Sequence, residues 1–243
     1  VAPEFDNFPA DETVECDDVP AATEGVTASD NCDDEVEVIY QGEVITPGDC
    51  DGEYTIERSW LAIDNCLNET LETQTITVID TTAPEFTFIP DGGDYSCDAD
   101  LPEVNAEAED NCSDATVSYA DVTTPGDCPQ SYSIVRTFTA IDDCGHETSE
   151  SIEFNIYDDE APVFDFVPAD YTAECDDELV LEDATATDNC GVVTITEIPV
   201  TEPMTDCPQG YLMTRVFIAI DECGNSISAS QTITVLATTA PVF

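Results

Sequence analysis

Twelve cysteines fall into three groups of four at nearly constant spacing. They are Cys16, Cys32, Cys50 and Cys66; Cys97, Cys112, Cys128 and Cys144; and Cys175, Cys190, Cys207 and Cys223. Self-similarity at a fixed period marks a tandem array in which each unit is one structural element. The Ala-Pro pairs ending at Pro3, Pro84, Pro162 and Pro241 keep the same rhythm, 81, 78 and 79 residues apart. This predicts units at 1–81, 82–159 and 160–238, with 239–243 opening a fourth repeat or serving as a joint between subunits. The final TTAPVF is read either as a cut from a longer array or as a joint to the next molecule.

A unit of about 80 residues is close to the size at which an apolar core alone is marginal. Small extracellular domains add disulfides for that reason. A structural zinc site would use tight Cys-x-x-Cys pairs, whereas successive cysteines within a unit here lie 15 to 18 residues apart. Disulfides and an extracellular or cell-surface location are therefore expected. The sequence has no signal peptide and no apolar run long enough to span a bilayer, and reads as a mature or excised segment.

Fifty-six acidic residues face three arginines and no lysine, a formal net charge of −53. Such a chain repels phosphate backbones and anionic membranes and attracts cations. Disorder does not follow from this charge, because 42% of the residues are hydrophobic and they are patterned as strands. Without lysine there are no Lys–Asn isopeptide bonds, so covalent stiffening falls to the cysteines.

QTITVID (74–80), IEFNIYD (152–158) and QTITVLA (231–237) alternate apolar and polar residues, the signature of half-buried strands. Ile76, Val78, Phe154, Ile156, Ile233 and Val235 are expected inside. The preceding segments, TIERSWLAID (55–64), SIVRTFTAID (133–142) and MTRVFIAID (213–221), set Trp60, Phe138 and Phe217 on one face with Ala62, Ala140 and Ala219. Short strands, frequent turn signals and no helical period predict an all-β chain of three tandem immunoglobulin-like β-sandwich modules in an extended rod, with two disulfides per module.

Sequence alone permits three pairings per unit. In an immunoglobulin-like topology the second and fourth cysteines end strands at one pole, and the first and third sit at the other. That arrangement predicts Cys16–Cys50, Cys32–Cys66, Cys97–Cys128, Cys112–Cys144, Cys175–Cys207 and Cys190–Cys223. Each bridge would close a loop of about 34 residues, worth about 3–4 kcal/mol on the chain-entropy estimate.

The strings APEF, SDNC, AIDxCGN-like and TITVxDTTAP resemble hyalin-repeat and bacterial Ig-like modules of secreted cell-surface proteins across all three units. The resemblance implies an extracellular stalk, filament or adhesin array and carries no catalytic residue. Leu67, where the other units have Gly145 and Gly224, and Ala237, where an Asp is expected, depart from the pattern.

Arg58, Arg136 and Arg215 occupy one equivalent position, each six residues before the Asp of IDxC, and are expected to be structural anchors paired with carboxylates or backbone carbonyls. Asp30, Asp110 and Asp188 stand two residues before the second cysteine, and Asp64, Asp142 and Asp221 two before the fourth. With Asp80 and Asp158 in the connectors, these eight are candidate metal ligands for Ca²⁺ at the junctions, since that ion takes six to eight oxygens. The bland alternative is a solvated acidic pole with Asp capping turns. Asn68 and Asn111 fit an N-glycosylation sequon, and Thr81 in Asp-Thr-Thr resembles a short O-glycosylation acceptor of bacteria with such modules.

No catalytic set emerges: His146 is the sole histidine and occupies a loop slot that the other units fill with Asn68 and Asn225. The expected function is a non-catalytic structural subunit of an extracellular bacterial filament or surface stalk. Its partners would be copies of itself end to end or further modules of the same chain. The rival is an adhesin whose loops grip glycan or protein, for which PVTEPMTDCPQGYLM (199–213) is the one hint.

Overall fold

The alternation that the sequence shows is realised as long strands with one face in a core. In a computed structural model of the chain, residues 1–32, 35–103, 105–205 and 210–237 are described. The first repeat contains β1 (Glu4–Phe5), β2 (Glu12–Glu15), β3 (Ala28–Ser29), β4 (Glu37–Pro47), β5 (Tyr54–Ile63) and β6 (Glu69–Ile79). The second contains β7 (Glu85–Phe88), β8 (Gly93–Ser96), β9 (Glu107–Glu109), β10 (Thr116–Pro125), β11 (Tyr132–Ile141) and β12 (Glu147–Tyr157). The third contains β13 (Val163–Phe166), β14 (Tyr171–Glu174), β15 (Thr185–Thr187), β16 (Thr194–Pro203), β17 (Tyr211–Ile220) and β18 (Ser226–Leu236).

Each repeat builds the same pair of sheets. A two-stranded sheet (β1-β3, β7-β9, β13-β15) accompanies a four-stranded one in the order β2-β6-β5-β4, β8-β12-β11-β10 or β14-β18-β17-β16. The short second strand runs parallel to the last, with Glu12 opposite Ile76 and Glu15 opposite Ile79. The chain is thus all-β, a series of tandem immunoglobulin-like sandwiches. It falls into two compact units: residues 1–90, 104–120 and 137–151 form one, and 91–103, 121–136 and 152–243 the other. The division runs through the second repeat, so each unit contains one junction between repeats.

Trp60, Phe138 and Phe217 are buried, and Ala62, Ala140 and Ala219 lie beside them, all three fully buried. Small alanines let the backbone approach closely while the ring fills the space between sheets. Ile76, Val78, Phe154, Ile156, Ile233 and Val235 face inward as the alternation requires, and Pro3, Pro84 and Pro162 are also enclosed. Phe8 and Tyr40 pack on Trp60 at 5.4 and 5.1 Å between ring centroids, within the range favoured by aromatic pairs.

The three arginines enter these interiors. Arg58 is 4% exposed; its Nε donates to Glu43 at 3.1 Å and one Nη to the Pro20 carbonyl at 2.8 Å. Arg136 makes a two-pronged pair with Asp121 at 2.8 Å for both bonds, above the Phe154 ring. Arg215, 2% exposed, grips Glu197 with two bonds and gives others to the Glu182 carbonyl and Gln231 Oε1. These pairs hold the Asp121 and Glu197 carboxyls below their ordinary values, chiefly through the guanidinium hydrogen bonds.

Four disulfides join the described cysteines, and none has the expected pairing. Cys16 bonds Cys112, Cys50 bonds Cys144, Cys97 bonds Cys190 and Cys128 bonds Cys223. The predicted Cys16–Cys50, Cys97–Cys128, Cys112–Cys144 and Cys190–Cys223 are therefore overturned. Cys32–Cys66 does not form either, since both thiols are free and exposed. Cys175 is free and exposed as well, while Cys207, its expected partner, lies outside the described residues, as does the segment 239–243.

Strand direction places the poles as expected, and the error lies in what each cysteine meets there. Because β2 and β6 are parallel, Cys16 follows β2 at the end where the chain leaves for the next repeat. Tyr54 at the start of β5 pairs with Val78 near the end of β6, which puts the Cys50 turn at that same end. First and third cysteines do share a pole, and second and fourth share the other. At each junction, however, a cysteine reaches across to the facing repeat instead of to its neighbour. The closed loops become 93 to 96 residues long.

Candidate metal centres at the repeat junctions

The turns that carry the second and fourth cysteines are organised by aspartate. Asp30, Asp110 and Asp188 each accept through Oδ1 from the backbone N–H of the cysteine two residues on, at 2.8, 2.8 and 2.9 Å. Asp64 does the same for Cys66 and Asn68, and Asp221 for Cys223, Gly224 and Asn225. These are the local side-chain-to-backbone bonds that make Asp a turn former. The tight fourth-cysteine turn places Gly145 and Gly224 at φ of 91° and 93°, and Leu67 at 66°. That left-handed region suits glycine and strains leucine.

Asp64 Oδ2 accepts from the Asn68 side chain and Asp142 Oδ2 meets the His146 ring, but in five other aspartates one oxygen serves the fold and the second is left over. Oδ2 of Asp30, Asp80, Asp110, Asp188 and Asp221 is buried without a hydrogen-bond partner. Stranded carboxylate oxygens are costly unless a cation or donor meets them.

At the junction of repeats one and two, ligand atoms of Asp80, Asp142 and His146 lie within 4.8 Å of one another. Asp80 is 3% exposed. Burial, reinforced by the charges of Asp110 and Asp142, pushes its carboxyl above the ordinary value of 3.8 against the Thr82 N–H bond and His146. Burial also acts upward on Asp142, but the backbone and ring bonds from His146 and the Gly145 N–H hold it below that value. Gly52 packs onto this site so closely that a Cβ there would meet Asp80 Oδ2 at 2.8 Å and Cys112 Cβ at 3.1 Å.

At the junction of repeats two and three, Asp158, Asp188 and Asp221 bring their oxygens within 4.8 Å of one another. Burial and the neighbouring charges of Asp188, Asp221 and Asp159 push the Asp158 carboxyl up. An all-oxygen set with unsatisfied lone pairs fits a hard cation such as Ca²⁺. Here Asn225 replaces the imidazole and donates instead to the Asp158 carbonyl at 3.1 Å.

Five of the eight expected ligands thus gather in two clusters, Asp80 and Asp142 with His146, and Asp158, Asp188 and Asp221, while Asp110 stands outside the first but acts on Asp80 through its charge. Asp30 and Asp64 hold the corresponding turns of the first repeat, where no third carboxylate joins them among the described residues. Sequence reading missed Glu15, whose carboxylate lies within 4.8 Å of an Asp80 oxygen and of Cys112 Sγ. It also missed Gly52 and the pairing of His146 with Asp142 at 2.9 Å. The parallel register of β2 on β6 would have revealed Glu15.

No family model matches the chain, and no curated protein matches it. Among solved structures, it is similar to Protocadherin Gamma B2 extracellular cadherin domains 1-5, at 15% identity and a TM-score of 0.34 over 99% of this chain and 60% of that one. It is also similar to human CDH23 EC21-23, at 16% identity and 0.36 over 96% of this chain and 100% of that one. For Drosophila N-cadherin EC1-4 the values are 15% and 0.31, over 96% and 75%. The chain spans 60% of the length of the first of these.

The three expected glycan acceptors are engaged. Asn68 donates to Asp64 Oδ2 at 2.7 Å, Asn111 lies against Cys112 Sγ at 3.2 Å, and Thr81 donates its hydroxyl to the Glu15 carboxylate.

Proposed function

We propose that this chain is a non-catalytic mechanical element of an extracellular surface array, in which each junction between repeats is clamped by two disulfides and by a divalent cation, Ca²⁺ in the first instance. The observation that carries this reading is the placement of both devices at the same pole. Two bridges cross each junction, and unsatisfied aspartate oxygens collect beside them. A pull along the chain then meets covalent links between neighbouring sandwiches before it unravels either one. The net charge of −53 keeps such elements apart and soluble and draws cations to the junctions. Asp80 and Asp142 with His146 would hold one ion, and Asp158, Asp188 and Asp221 the other. The resemblance of the repeated strings to bacterial Ig-like surface modules supports a bacterial filament or stalk.

The carboxyl shifts set the expected pH response. Asp80 and Asp158 have folded-state values raised above 3.8. Without divalent ions their ionisation therefore costs stability at neutral pH, and stability rises as pH falls through those raised values. Asp121, Asp142 and Glu197 are shifted the other way, so their stabilisation is present at neutral pH and is lost only as pH falls below the ordinary carboxyl range. In saturating calcium the first trend reverses, because acid displaces the ion.

Melting is therefore expected to rise on adding Ca²⁺ at pH 7 by about 3 kcal/mol of stability at a hundredfold excess over Kd, and the increment shrinks near pH 5. Asp80→Asn with Asp158→Asn removes the increment without lowering the melting point in chelator. Equal melting in calcium and in chelator at pH 7 would sink the cation clamp.

A further inference from the structure

His146 is the one histidine of the chain, and it stands where the first and third repeats carry Asn68 and Asn225. Both asparagines serve the fold from that slot. Asn68 donates its side-chain amide to Asp64 at 2.7 Å, and Asn225 to the Asp158 carbonyl at 3.1 Å. The His146 backbone keeps the same turn. Its N–H donates to Asp142 Oδ1 at 2.8 Å, as the Asn68 and Asn225 N–H groups donate to Asp64 and Asp221. The turn therefore has no need of an imidazole, and what histidine adds is a nitrogen donor.

That nitrogen arrives where a buried group already lacks a partner. Asp80 is 3% exposed, and its Oδ2 is buried without a hydrogen bond. A carboxylate oxygen of Asp80, one of Asp142 and a ring nitrogen of His146 lie within 4.8 Å of one another. The Asp142 side chain is fully buried, while the His146 side chain is 35% exposed, so an ion can enter past the ring. Glu15, also near Asp80, has its oxygens bonded by the Thr81 N–H and hydroxyl. The donors at hand are thus two carboxylates and one imidazole.

We propose that this first junction takes a zinc-class transition-metal cation, while the all-oxygen second junction takes calcium. This rests on the cation-clamp reading above and divides its two sites by metal. Calcium is a hard cation that takes six to eight oxygens, whereas imidazole suits Zn²⁺ and its neighbours. Zinc is held by His and Asp at about 2.0–2.2 Å and is commonly four-coordinate. His146 Nδ1 and Asp142 Oδ2 are 2.9 Å apart, close enough for both to reach one such ion. The ion then takes the place of the proton between them, and that proton leaves to solvent. Asp80 is the third donor, and water completes the four.

The test uses the full oxidised chain with its exposed thiols alkylated, so that Cys32, Cys66 and Cys175 cannot compete for metal. A single histidine gives a single set of imidazole proton resonances. One equivalent of zinc chloride in metal-free buffer at neutral pH is expected to move that set to completion, and one equivalent of calcium chloride to leave it in place. In calorimetry, His146→Asn should weaken zinc binding by at least about tenfold, the scale on which losing even an outer partner of a metal ligand acts. The variant should keep the four bridges in peptide mapping, since asparagine fills that slot in the other repeats. Ring resonances unmoved by zinc, moved alike by calcium, or an unchanged zinc affinity in His146→Asn would overturn the proposal. Calcium-dependent melting of the same variant reads the second junction by itself, so failure of the zinc site and failure of the clamp reading are told apart.

Discussion

Replacing Cys97 and Cys190 together by serine is expected to destabilise the second junction by about 4 kcal/mol, a drop in melting temperature of about 8–16 °C. The two residues are 93 apart in sequence, so the bridge removes a long loop's worth of freedom from the unfolded chain. Cys128–Cys223 crosses the same junction and shortens that loop, but only logarithmically in its effect, which is why most of the stabilisation survives. The change also removes the tether beside Asp158, so calcium affinity at that junction should fall with it. Thermal unfolding followed by circular dichroism reads the first effect. An unchanged midpoint would mean that the oxidised chain does not contain this bridge.

Arg215→Ala is expected to cost about 3 kcal/mol, a drop of about 6–12 °C. The guanidinium is 2% exposed and stands 4.9 Å over the Phe217 ring. It satisfies Glu197, the Glu182 carbonyl and Gln231 Oε1 at once. Its removal leaves a void beside the ring and strands Gln231 Oε1. Glu197 is one-third exposed, and water recovers part of its loss, which keeps the figure at the low end for a broken buried pair. Arg215→Lys should recover little, because an ammonium lacks the fork that reaches three partners. Arg136→Ala should cost less, since its guanidinium side chain is 11% exposed against 2% for Arg215. A loss below about 1 kcal/mol for Arg215→Ala would place this group on the surface, as for an exposed ion pair.

The sequence made the strands legible because a half-buried strand writes its period into every second residue. Trp60, Phe138 and Phe217 with their alanine neighbours could be placed without coordinates for that reason. The poles were legible too, since strand direction alone assigns Cys16 and Cys50 to one end and Cys32 and Cys66 to the other. The partner of each cysteine was not, because two thiols at one pole and two across a junction are equally compatible with strand order. Only the approach of Cys16 to Cys112 in space separates them. The Asp80 and Asp158 clusters followed from the poles, as both connectors leave beside the aspartate turns of the next repeat. Glu15 stayed hidden because its neighbour, Ile79, is set by a parallel register between segments that are distant in sequence. Gly52 was equally silent, since its reason is the closeness of Asp80 and Cys112.

The measurement that bears most directly on clamped junctions is disulfide mapping of the oxidised chain, digested at acidic pH to prevent exchange. The account predicts linked peptides joining Cys16 to Cys112, Cys50 to Cys144, Cys97 to Cys190 and Cys128 to Cys223. Peptides joining Cys16 to Cys50, Cys97 to Cys128, Cys112 to Cys144 and Cys190 to Cys223 would contradict it, because every repeat would then be closed on itself and no covalent link would cross a junction.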